Sequence, residues 1–81
     1  ANFYFYRDNT GMEIDLIIHA HGKYSCVEIK SKTSPDAHDA KWLKKAEGLL
    51  PDLAENASIV CMTEKAFPIS SSIVAHSIWQ I

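Results

Sequence analysis

The sequence predicts a small α/β (α+β) domain with a mixed sheet: a three-stranded antiparallel meander, then a helix crossover to a parallel strand. Three observations predict it. Apolar and polar residues alternate through Met12–His19 and recur in Tyr24–Lys30, the period of half-buried strands. From Ala40 to Leu50 the apolar spacing lengthens to that of a helix. Ser58-Ile59-Val60-Cys61-Met62 is a short continuous apolar run, as expected for a strand covered on both faces.

Each element has its own signal. Phe3-Tyr4-Phe5-Tyr6 is an aromatic strand with rings on both faces, and Asp8-Asn9-Thr10-Gly11 is a cluster of turn formers. In the second strand Met12, Ile14, Leu16 and Ile18 are expected on one face, with Glu13, Asp15, Ile17 and His19 on the other. Ala20-His21-Gly22-Lys23 reads as a tight turn leading into the third strand. Pro35 ends extended pairing. The helix is expected from Asp36 or Asp39, with Ala40, Leu43, Ala46 and Leu50 on one side, Trp42 and Leu49 flanking, and Pro51 as its stop. Strand, helix, strand implies a right-handed crossover. In the tail, Phe67-Pro68-Ile69 is extended, Ser70-Ser71-Ser72 is a turn or cap, and Ile73–Ile81 reads as a strand, with a short amphipathic element as the alternative. Trp42 and Trp79 are read as core or interface anchors rather than base-stacking platforms.

Composition narrows the function classes. At 81 residues and 47% hydrophobic, the chain suits a single domain, residues 1–81, with one modest core. It has no apolar run long enough for a membrane helix and no secretion-signal pattern at Ala-Asn-Phe-Tyr-Phe-Tyr, and Cys26 and Cys61 both lie inside apolar runs. Reduced thiols in a cytoplasmic protein are therefore expected. A net charge of -2 argues against an indiscriminate binder of nucleic acid. Five of the eight basic residues nevertheless fall between Lys30 and Lys45. Of these, Lys32, Lys41, Lys44 and Lys45 are the candidates for contacting a phosphate backbone.

The hairpin register brings charges together. With His21 and Gly22 at the centre of the turn, Ala20 pairs with Lys23, which sets Asp15 opposite Glu28 and Glu13 opposite Lys30. Strict alternation then puts all four side chains on one face. Crowded carboxylates raise one another's pKa, a conflict that a hard divalent cation with oxygen ligands relieves. Lys30 beside such a cation is placed to orient an attacking water or to stabilise charge on a phosphate.

Three stretches carry a resemblance: Phe5-Tyr6-Arg7-Asp8 through Gly11, Glu13-Ile14-Asp15-Leu16-Ile17-Ile18, and Val27-Glu28-Ile29-Lys30-Ser31. The last two are similar to the PD-(D/E)xK, or restriction-endonuclease-like, superfamily of nucleases. All three together resemble the uncharacterised C-terminal domain of bacterial and archaeal AAA+ family ATPases, most closely over residues 3–50. The resemblance implies a restriction-endonuclease-like core, with Asp15 and Glu28 as Mg²⁺ or Mn²⁺ ligands, the Ile29 carbonyl as a third and Lys30 as the catalytic lysine. Glu13, which the minimal motif lacks, joins as an auxiliary ligand. Ile14 replaces the motif's proline, and the superfamily's opening helix is expected either upstream of residue 1 or not at all. The implied function is Mg²⁺-dependent hydrolysis of DNA by a piece of a longer ATPase chain. The alternative is an inactive nuclease-fold module that binds DNA or protein, or packs against its parent ATPase. Self-assembly through the exposed first strand is a further expectation.

Overall fold

The computed structural model describes residues 2–49 and 57–80. Its strands are β1 (Asn2–Arg7), β2 (Glu13–Ala20), β3 (Lys23–Ile29), β4 (Ala57–Cys61), β5 (Phe67–Pro68) and β6 (Ile73–Ser77), with helix α1 (Lys41–Leu49) between β3 and β4. They form one mixed six-stranded sheet in the order β1-β2-β3-β4-β6-β5. The meander β1–β3 is antiparallel, β3, β4 and β6 run parallel, and β5 returns antiparallel at the far edge.

The turn between β2 and β3 has the expected register. His21 and Gly22 both take positive φ, 54° and 74°, the backbone of a two-residue hairpin turn whose twist matches that of the strands. Ala20 pairs with Lys23, and the ladder runs on to Leu16 opposite Val27. Gly11, at φ 93°, closes the turn before β2, where the Asp8 amide donates to the Met12 carbonyl at 3.1 Å.

The expected alternation in β2 fails at one point. Tyr4 pairs with Ile17 but Tyr6 pairs with Ile14, so Asp15 and Leu16 together oppose Phe5 in a β-bulge. The extra residue reverses the strand's phase: Ile14 and Ile17, predicted on opposite faces, both enter the core, while Leu16 and Ile18 are only half-buried.

One side of the sheet is closed by α1. Leu43 and Ala46 of the helix, with Ala40 before it, pack among Ile14, Ile17, Cys26, Ile59, Ile73 and Ala75. In β4 the buried positions alternate with half-buried ones, so the strand is covered fully on one face only, not on both as its composition implied. Helix entry begins before α1. The Asp36 carboxylate accepts from the amides of His38 and Asp39, and Asp39 returns the favour by accepting from the Asp36 amide at 2.9 Å, a capping box after Pro35. Leu50 and Pro51, the expected helix end, lie outside the described residues. In the tail the strand stops at Ser77 and Ile78–Gln80 form a 3-10 turn. Trp79 on that turn is 65% exposed, which removes the core half of its core-or-interface reading; Trp42 is half-buried and packs against the core.

Candidate functional site

The site forms where the β2–β3 ladder gives way. Beyond Leu16 and Val27, side chains replace the ordinary main-chain exchange. The Asp15 amide donates to Glu28 Oε1 at 3.1 Å, and the Asp15 carboxylate accepts from the Ile29 amide at 2.9 Å. The bulge thus delivers Asp15 to Glu28 by a route other than simple facing. Glu28 pairs with Ile59 across β3–β4 and is 3% exposed, a buried acid on the sheet face that α1 covers. Its other oxygen, Oε2, lies 3.9 Å from Lys30 Nζ.

The electrostatics follow from that placement. Burial pushes the Glu28 carboxyl above its ordinary range, and the nearby Asp15 charge pushes the same way. The Asp15 amide and Lys30 oppose both effects without cancelling them. The Cys26 thiol, on the same face of β3, is also raised, first by burial and then by Glu28. Lys30 is fixed by its amide, which donates to the Val60 carbonyl at 2.9 Å, while the Lys32 carbonyl accepts from Met62. The chain beyond β3 is thereby tied to the end of β4.

Asp15, Glu28 and Lys30 come together; the other predicted residues do so in part or not at all. Glu13 pairs with Arg7 at 3.2 Å, its ladder partner on β1. It adds a weak repulsion at Glu28, and its carboxylate is paired with Arg7 rather than bonded to Asp15, Glu28 or Lys30. The Ile29 side chain is exposed beside the site. Lys32 is held by both oxygens of Asp39 at 3.1 Å, and Lys41 and Lys45 lie over the Trp42 ring at 4.8 and 5.9 Å. Lys44 is exposed on the outer surface of α1. His19, the other polar residue expected on the Asp15 face, stacks on Tyr24 at 4.3 Å.

Asp39 is the residue that sequence reasoning missed. Its side chain is only 9% exposed, and it joins the helix cap to Lys32. Its carboxyl is held below the ordinary range by the Asp36 amide and then by Lys32, with Lys30 contributing. The Asp-x-x-Asp spacing of a capping box was the available signal. Among the described residues no group of three or more His, Cys, Asp or Glu side chains is arranged to hold a metal ion. Asp15 and Glu28 remain as a pair of oxygen donors.

Neither the curated proteins nor the solved structures yield a match. Residues 1–81 match a family described as a domain of unknown function, DUF4143. With every residue from the aromatic first strand to the closing turn inside that match, the chain belongs to the DUF4143 family.

Proposed function

We propose that the chain is a nuclease-like module with a restriction-endonuclease-like core, hydrolysing DNA phosphodiesters with Mg²⁺ or Mn²⁺. The observation that carries this reading is the convergence of buried Glu28 with Asp15 beside Lys30, at the end of the strand leading into the crossover. Two carboxylates, with the Ile29 carbonyl as a further donor, fit Mg²⁺, which typically takes one or two carboxylates and completes its shell with water and phosphate oxygens. A bound cation would supply Lewis-acid polarisation of the phosphate and a more acidic water.

The chain's own residues do the rest. Burial makes Glu28 costly to ionise alone, so its charged form favours an added positive charge. Lys30, about a third exposed, can hold a proton toward a developing phosphate charge while remaining in reach of Glu28. Lys32 and Lys44 are candidates for the phosphate backbone, Lys32 already oriented by Asp39. Isothermal titration of Mn²⁺ into the 81-residue chain tests the ligand set: binding that Asp15→Ala abolishes supports it, and no binding by either protein sinks it. A plasmid-nicking assay with Lys30→Ala as control then tests turnover.

A second reading has its own observation. Asp15 and Glu28 each accept a backbone amide, so both have a structural task without any cation. In that case the domain is an inactive module that binds DNA or protein, or packs against the rest of an AAA+ ATPase chain. Mn²⁺ binding without nicking by the parent protein would favour it.

A further inference from the structure

The parallel strands β3, β4 and β6 all finish at one edge of the sheet, where open sheets of parallel strands commonly take their ligands. Beyond that edge lies an open cleft of about 780 Å³, lined by Thr33 after β3, Met62, Thr63 and Glu64 after β4, and Trp79 after β6. The Lys32 carbonyl, bonded to the Met62 amide at 2.9 Å, links the cleft to the segment that leaves Lys30. Asp15, Glu28 and Lys30 therefore lie at one end of a continuous edge and Trp79 at the other.

The lining has a definite chemistry. Trp79 is 65% exposed and Met62 43%, so a flat indole and a polarisable thioether stand open to solvent. The backbone that carries the indole is not loose: the Trp79 amide donates to Ser77 Oγ at 3.2 Å, and Ser77 is buried. Among the polar groups, Thr63 Oγ1 already donates to the Lys65 carbonyl at 2.9 Å, leaving its lone pairs as acceptors. The Glu64 carboxylate has no hydrogen-bond partner among the described residues. A flat apolar surface rimmed by acceptors suits a planar ring with an exocyclic amino group.

We propose that this cleft is a stacking subsite for one unpaired nucleobase of single-stranded DNA, with cytosine or adenine preferred over thymine. The proposal rests on the phosphodiester reading of the Asp15–Glu28–Lys30 site, since the backbone of a strand held there would carry its neighbouring base along the edge. A base inside a duplex hides its faces in the stack, so the same surface selects unpaired strands.

The test uses the 81-residue chain with Trp42→Phe, which leaves Trp79 as its one indole, and a single-stranded deoxycytidine hexamer in Ca²⁺ buffer. Saturable quenching of Trp79 fluorescence is expected, with none from a duplex. Anisotropy of a labelled hexamer, in the Trp42 background, should show Trp79→Ala weakening binding about 5- to 150-fold, the range of base–aromatic stacking, and Trp79→Phe retaining most of it. Mn²⁺ titration is run on the same variants. Intact Mn²⁺ binding with no quenching, or equal affinities for Trp79→Ala and the parent, overturns the base site and leaves the phosphodiester reading standing. Quenching in a chain that binds no Mn²⁺ overturns the phosphodiester reading and supports the base site independently.

Discussion

The amide of Asp15 donates to the carboxylate of Glu28 at 3.1 Å, so the exposed acid of the site is tied through its backbone to the buried one. The reciprocal bond runs from the Ile29 amide to the Asp15 carboxylate at 2.9 Å. Two acids that repel are thus held by the strands that present them.

Glu28→Gln keeps an acceptor for the Asp15 amide and removes a buried charge. Because the folded-state pKa of Glu28 is raised, the native state holds its proton more tightly than the unfolded chain does. Wild-type stability contributed by this group is therefore present below the ordinary carboxylate range and lost as pH rises through the raised value. Melting temperatures across pH should show Glu28→Gln matching the wild type in acid and exceeding it at neutral pH. A wild type more stable than the variant at neutral pH, without divalent ions, would contradict this account.

Mn²⁺ should reverse that order. An ion at one hundred times its dissociation constant stabilises the native state by about 2.7 kcal/mol, roughly 10–20 °C in a domain of this size. The wild type should gain this increment, while Asp15→Ala and Glu28→Gln should not.

Asp8 works in the opposite sense to Glu28. Its carboxylate accepts from the Thr10 amide and hydroxyl, the Met12 amide and the Tyr6 hydroxyl, which together hold its pKa at about 2. The stability it contributes is complete above the ordinary Asp range and lost as pH falls toward about 2. Thermal melts of Asp8→Ala should lie below the wild type at neutral pH and converge with it at the acid end.

The capping box gives a stability test independent of the site. Asp36→Ala removes the acceptor for the His38 and Asp39 amides and should cost about 0.5–2 kcal/mol in urea unfolding, with an unchanged slope. Asp39→Ala should cost more than Lys32→Ala, because it frees both Lys32 and the Asp36 amide.

Packing predicts a sharp contrast between two large apolar residues. Leu43 is fully buried, and Leu43→Ala should cost about 2–5 kcal/mol. Phe5, 78% exposed on β1, should tolerate Phe5→Ser within about 0.5 kcal/mol. Chemical denaturation of the two variants side by side checks both.

The hairpin was legible because only a residue pair tolerant of positive φ fits its turn, and His21-Gly22 offered one at a fixed distance from Asp15 and Glu28. The helix was legible from its period, whereas the tail was legible only in part, since nothing in its composition marks Ser77 as the end of the strand. The bulge was not. Leu16, Ile17 and Ile18 are all apolar, so nothing in their composition says which of them turns inward, and the choice falls to the pairing with β1. The Arg7–Glu13 ion pair was illegible for the same reason, since it depends on the pairing of β2 with β1. Residue type alone leaves Trp79 between core and interface, and its exposed placement depends on the turn that ends β6.

The bonds at Asp15 and Ile29 give the sheet a built-in gauge. In most strands an amide points at a carbonyl and is indifferent to what the side chains do. Here each of these two amides points at an acid, so whatever draws an acid away also releases a main-chain proton. Filling the site and loosening this stretch of sheet are then two ends of one equilibrium, and the exchange rates of two backbone protons report which end prevails.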